Sequence, residues 1–179
     1  IFLDLKLHDI PNTVASAMLS LSQLRVNMVN LHAGGGIRMM RDAADALHTL
    51  GPGRPLIIAV TVLTSLDQEV LANELLIGEM LSETVLRYAG NAKTAGLDGV
   101  VCSPHEAPAV HRTYGTDFLT VTPGIRPAGG DKGDQKRVAT PEEARRLGSD
   151  YIVVGRPITR AADPVSIYRR CVHDFLGTS

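Results

Sequence analysis

Six short apolar runs recur along the chain: IFLDLK (1–6), VNMVNLH (26–32), PLIIAVTVL (55–63), GVVCS (99–103), FLTVT (118–122) and YIVVG (151–155). Each has the length of a strand. Between them lie longer segments in which apolar residues return at the helical period: TVASAMLSLSQL (13–24), GIRMMRDAADALHTL (36–50), a long stretch over 67–95, TPEEARRLG (140–148) and a final helix over 163–176. The segment 140–148 carries its own end signals. Thr140 is placed as an N-cap, Pro141 at the first helical position, Glu143 at the capping-box position and Gly148 at the end. Strands alternating with helices in this way predict βα units feeding a parallel sheet.

The strand starts at 1 and 151 bracket five repeats, a mean of 30 residues each, and eight such units make roughly 240 residues, near the ~250 of a (β/α)8 barrel. Six units cannot close that barrel. An open doubly wound sheet fits the periodicity as well, but the chain also begins inside a strand, and two absent N-terminal units account for both facts. The expectation is an α/β fold, a (β/α)8 TIM barrel with six of its eight βα units present. It forms a single domain over 1–179 that is incomplete at its N-terminus. The chain has no low-complexity segment, and its one long loop is TPGIRPAGGDKGDQKRVA (122–139).

Composition narrows the function classes. A chain of 179 residues is long enough for one well-buried core and short for two domains. With 18 basic and 19 acidic residues the net charge is −1, so no basic excess suggests a nucleic-acid surface, and a small-molecule partner is expected. Two cysteines, Cys102 and Cys171, far apart in a cysteine-poor chain, fit a reducing compartment better than a disulfide framework. No apolar run approaches the roughly 20 residues of a membrane helix, and IFLDLKLHD lacks the basic start and long apolar stretch of a signal peptide. These features predict a cytoplasmic protein without a membrane partner.

The candidate chemistry begins in DLKLHDIPNT. Residues two apart in a strand share a face, so Asp4 and Lys6 are expected to point one way and Ile1, Leu3 and Leu5 the other. The inward face near the C-terminal strand ends of a barrel is its active-site floor, where charges persist only if paired. Asp4, Lys6 and Asp9 can form such a set. A strand-end salt bridge would need no chemistry, but the excess of charge in a strand otherwise apolar enough to be buried favours a site.

Phosphate-binding features cluster later in the chain. The long loop after the fifth run carries Arg126 and Gln135, and the sixth run ends in Gly155-Arg156-Pro157, where a strand gives way to a short helix. Backbone N–H groups at such a turn approach phosphate oxygens closely because Gly155 has no side chain, and Arg156 adds a charged fork. If two units are absent, these loops follow strands seven and eight, where barrels commonly hold phosphate. Gly34-Gly35-Gly36 lacks the G-x-G-x-x-G spacing and reads as a tight turn. The six histidines show no H-x-H or H-E-x-x-H spacing, so no metal is expected. His32, at a strand end, is a candidate to line the site, whereas His48, His105, His111 and His173 are placed on helices and surface. Cys102, inside an apolar strand, reads as a core residue. Thr64 and Ser65, ending the third run, are candidate donors to a ligand.

Asp4-x-Lys6-x-x-Asp9 followed by Ile-Pro-Asn-Thr, then TPGIRP, GDQKR and VVGRPIT in that order, resembles orotidine 5′-phosphate decarboxylases of the bacterial type. The likeness covers the whole chain. The DxKxxD motif is shared with sugar-phosphate decarboxylases and synthases of the same superfamily, while the IPNT continuation and the GDQ segment favour the nucleotide enzyme. The resemblance implies decarboxylation of orotidine 5′-monophosphate to uridine 5′-monophosphate in pyrimidine biosynthesis, with no cofactor. Lys6 would be the general acid that protonates C6 of the pyrimidine, and Asp4 would sit beside the departing carboxylate. Asp9 and Thr13 would reach the neighbouring site of a homodimer. Arg126, Gln135, Gly155 and Arg156 would hold phosphate, with Gln135 also reaching the base, and Thr64 would touch the nucleotide. The sequence departs from the family in one respect: a further Asp and a further Lys of the charged array belong to the first two strands, which it lacks. Two other readings stand beside this one, a magnesium-dependent sugar-phosphate lyase of the same superfamily and a non-catalytic phosphonucleotide-binding fragment.

Overall fold

The computed structural model describes residues 1–127 and 137–177. Six strands, β1 (Phe2–Leu7), β2 (Met28–His32), β3 (Leu56–Val60), β4 (Gly99–Val101), β5 (Leu119–Thr122) and β6 (Tyr151–Ile152), pair in parallel in the order of the chain. That order excludes the doubly wound alternative, in which the strand sequence reverses at a switch point. Consecutive parallel neighbours linked by helices are the arrangement of a barrel wall, and the six strands form a half-barrel.

The helices are α1 (Pro11–Ser22), α2 (Gly36–His48), α3 (Gln68–Asn73), α4 (Leu81–Thr94), α5 (Ala107–Tyr114), α6 (Pro141–Arg146), α7 (Arg156–Thr159) and α8 (Pro164–Leu176). Strand alternation divides the core in two. Val29 and Leu31 of β2, Ile57 and Ala59 of β3 and Val100 of β4 pack against Met18, Met39, Met40 and Leu47 of the helices. The intervening Met28, Ile58, Val60, Val101 and Val121 form a second cluster on the opposite, inner face. A side chain at Gly99 would collide with the Leu119 carbonyl, so β4 and β5 approach closely only because this position is glycine.

Several boundaries differ from the sequence reading for local reasons. Strands β3 and β4 are shorter than their apolar runs because each of these runs continues into a loop that stays buried, at Val62 and at Cys102. The stretch 67–95 is two helices rather than one. Asp67 caps α3 by accepting from the Val70 N–H, α3 ends at Asn73, and Leu76 takes a φ of 56° before α4 begins. Helix α5 had no counterpart in the periodicity. Helix α6 has the expected capping box, Thr140 accepting from the Glu143 N–H while the Glu143 carboxylate accepts from the Thr140 N–H.

Strand β1 departs most from simple alternation. It pairs Leu3 with Val29 and Leu7 with Leu31, so four steps along β1 match two along β2, and Lys6 takes a φ of 53° within this slip. Leu3 and Leu7 both pack toward the helix side. Leu5, expected on the buried face, is instead 52% exposed. Beside β6 runs an apolar groove of about 580 Å³ whose lining includes Phe2, Val153, Tyr168, Val172 and Phe175.

Candidate active site

The C-terminal ends of the strands surround a cavity of about 180 Å³. Its wall takes Asp4 and Lys6 from β1, Thr64 and Ser65 from the loop after β3, Cys102 from the end of β4, and Pro123 and Val153 from the ends of β5 and β6. This is the end at which parallel α/β sheets place their ligands.

Asp4 and Lys6 meet as expected, with Lys6 Nζ 2.7 Å from Asp4 Oδ2. The other carboxylate oxygen, Oδ1, accepts from Asn30 Nδ2 at 2.5 Å, and Asn30 Oδ1 accepts the Lys6 backbone N–H at 2.7 Å. Asn30 is 2% exposed. It was not singled out in the sequence, although an amide in the middle of the apolar run VNMVNLH was a signal. His32, at the end of β2, stands with its ring 5.7 Å from that of His8. Burial is the main cause that holds the His32 imidazole below its ordinary pKa. The charges of His8 and Lys6 act in the same direction and Asp4 opposes them. The neutral ring is therefore favoured beside the ion pair.

Asp9 lies elsewhere. Beyond β1 the chain turns, Asp9 Oδ1 accepts from the Ile10 N–H at 2.6 Å, and Asp9 and Thr13 of α1 are both exposed. Within this chain the ion pair at the cavity is formed by Asp4 and Lys6, without Asp9.

On the far side, Thr64 is buried. Arg137 braces the adjoining backbone, donating to the carbonyls of Val62 and Leu63 and pairing with Glu106, which in turn accepts from the Ser103 N–H. The strap joins the loops after β3 and β4 to the trailing end of the 122–139 segment, and burial lowers the pKa of its guanidinium. Arg137 too was missed as a contributor, because an Arg in a polar loop gives no sequence sign of burial. Cys102 is 1% exposed and burial pushes its thiol up to about 12, which fits a core residue rather than a nucleophile.

Of the expected phosphate ligands, Arg126 is buried at the leading end of the long loop. Its Nη1 donates to the Ile125 carbonyl and its N–H to the Ala139 carbonyl. Gln135 lies outside the described residues. Gly155 precedes α7, its carbonyl accepting from the N–H groups of Ile158 and Thr159, and a side chain there would meet open space. Arg156, half-buried, is the first residue of α7, three positions beyond Val153 of the cavity wall. Among the described residues, no three His, Cys, Asp or Glu side chains gather as metal ligands, and no helix is long and apolar enough to cross a membrane.

Comparison with known proteins agrees with this geometry. The model of the orotidine 5′-phosphate decarboxylase / HUMPS family matches residues 1–171. The chain is 54% identical over 180 residues to the orotidine 5′-phosphate decarboxylase of Geobacillus sp. (strain WCH70), covering 99% of this chain and 75% of that protein. It is 56% identical over 171 residues to the enzyme of that name from Lactococcus lactis subsp. cremoris (strain MG1363), covering 94% and 72%. The crystal structure of orotidine 5′-phosphate decarboxylase from Lactobacillus acidophilus superposes with a TM-score of 0.84 at 45% identity, over 98% of this chain and 75% of that one. By its matched family model, its close relatives and its half-barrel with a charged pair at the strand ends, the chain belongs to the orotidine 5′-phosphate decarboxylase / HUMPS family.

Proposed function

We propose that this protein is a carboxy-lyase that converts orotidine 5′-monophosphate to uridine 5′-monophosphate in pyrimidine nucleotide biosynthesis, using neither metal nor organic cofactor. The observation that carries the reading is the Asp4–Lys6 ion pair at the cavity, 2.7 Å between charged atoms and anchored on the buried Asn30. Decarboxylation breaks the bond from C6 to the carboxylate carbon, leaves the electron pair on C6 and releases carbon dioxide. A fixed ammonium stabilises that developing carbanion and then supplies its proton to C6, which is the role of Lys6. Asp4 stands beside the departing carboxylate. Lys6 then regains its proton from solvent.

Arg126, Gln135, Gly155 and Arg156 hold the phosphate, Gln135 also reaches the base, and Thr64 touches the nucleotide. The exposed positions of Asp9 and Thr13 suit residues that reach the neighbouring site of a homodimer. The whole enzyme is a cytoplasmic single-domain (β/α)8 barrel, to which this chain contributes six units. Relatives at 54% and 56% identity that bear the decarboxylase name support the nucleotide substrate over a sugar phosphate.

Titration calorimetry with uridine 5′-monophosphate and with a pentulose phosphate, each with and without EDTA, separates the two. Binding of the nucleotide, unaffected by EDTA, is expected. Metal-dependent binding of the sugar phosphate alone would overturn the proposal.

A further inference from the structure

Resting on the decarboxylase reading, we propose that Asn30 is a positioning residue, setting the geometry of both Asp4 and Lys6 through the two ends of one buried amide. A single planar group spans the pair: Nδ2 donates to Asp4 Oδ1 at 2.5 Å and Oδ1 accepts the Lys6 N–H at 2.7 Å. The partners themselves dictate this orientation, because a carboxylate can only accept and a backbone N–H can only donate.

The position of Asn30 explains why the bond to Lys6 matters. Parallel pairing of β1 with β2 slips between Leu3/Val29 and Leu7/Leu31, and Lys6 lies inside that slip. There the Asn30 side chain takes the Lys6 N–H. Lys6 also has φ 53°, a left-handed conformation that a residue with a side chain holds only when its surroundings impose it. The amide provides that constraint at the residue whose ammonium is to act. At the same time it fixes Asp4, so that one carboxylate oxygen is held by Asn30 and the other faces Lys6 Nζ. Val29 and Leu31 on either side pack into the helix-side core, which leaves the strand carrying Asn30 little freedom to shift.

Two substitutions in the full-length protein test this. Asn30→Asp keeps the volume and the acceptor for the Lys6 N–H but turns the donor facing Asp4 into a second carboxylate. Asn30→Ala removes both bonds. For Asn30→Asp, kcat is expected to fall on the order of 100-fold, the scale of a misplaced catalytic group. KM and the affinity for uridine 5′-monophosphate should stay within a few-fold, since the nucleotide is gripped elsewhere. Near-normal kcat with native thermal stability, or a loss confined to KM, overturns the assignment. A crystal structure of Asn30→Ala gives a readout independent of turnover: the contact between Lys6 Nζ and Asp4 Oδ2 should be lost. Its persistence at salt-bridge distance overturns the proposal, whatever the substrate. Should Asn30→Ala fail to fold, the near-isosteric Asn30→Asp carries both measurements. Absence of turnover in the unmodified protein would instead count against the decarboxylase reading, leaving the structural test of Asn30 in force.

Discussion

Replacing Lys6 by alanine is expected to lower kcat by about 100- to 10,000-fold or more while leaving appreciable affinity for uridine 5′-monophosphate, the range associated with loss of a positioned general acid. The expectation follows from where the ammonium sits. Lys6 Nζ is 2.7 Å from Asp4 Oδ2 at the cavity wall, so its loss removes both the proton donor and the cation that balances Asp4. An uncompensated carboxylate would then face the substrate's own carboxylate and the carbanion that follows. Ground-state binding is expected to be less affected, because the residues proposed to hold the phosphate are others. Steady-state kinetics on the full-length protein, together with calorimetric titration of product, checks both halves. A Lys6→Ala enzyme with near-normal kcat would show that another group protonates C6.

Arg156→Ala should act on the opposite end of the substrate. A charge-assisted hydrogen bond to phosphate is worth about 1.5 to 3 kcal/mol, which corresponds to a loss of roughly 10- to 150-fold in kcat/KM. The loss should be much smaller for a nucleoside substrate that lacks the phosphate. Arg156 opens α7 directly after Gly155, on a segment that continues the cavity wall at Val153. Binding energy from this remote end also contributes to the chemical step, so kcat is expected to fall along with affinity. Equal losses for the phosphorylated and unphosphorylated substrates would remove Arg156 from the phosphate site.

Much of the architecture was legible because it depends on period and on end signals. The six apolar runs became six parallel neighbours in chain order, and Thr140, Pro141 and Glu143 capped α6 as their spacing implied. Where the signals are weak or carried across a break, the reading failed. Leu75, Leu76 and Ile77 continue the apolar pattern through the segment between α3 and α4, and Ile77 packs against the core without being helical, so two helices looked like one. In α5 only eight residues are helical, with Ala107 and Val110 buried, too little for a period to emerge.

The site shows the same division. DLKLHD pointed to Asp4 and Lys6 through the cost of placing charge in an apolar strand, and the two do meet. Simple alternation, however, placed Leu5 with Leu3 on the face opposite Asp4 and Lys6, whereas Leu3 packs against the helix-side core and Leu5, within the slip, is 52% exposed. Within that slip the Lys6 N–H donates to Asn30 Oδ1, 24 residues along the chain, a contact that no local pattern in β1 encodes. The brace from Arg137 to Glu106 and to the Val62 and Leu63 carbonyls likewise joins segments far apart in sequence, at the loops that carry Thr64.

The most direct measurement of the central claim is to incubate the purified full-length protein with orotidine 5′-monophosphate, in EDTA and without added metal, and to follow uridine 5′-monophosphate and carbon dioxide together. Stoichiometric formation of both, at a rate EDTA does not reduce, is the predicted result. Absence of uridine 5′-monophosphate, or turnover that appears only when magnesium is restored, would contradict a cofactor-free decarboxylase built on Asp4 and Lys6.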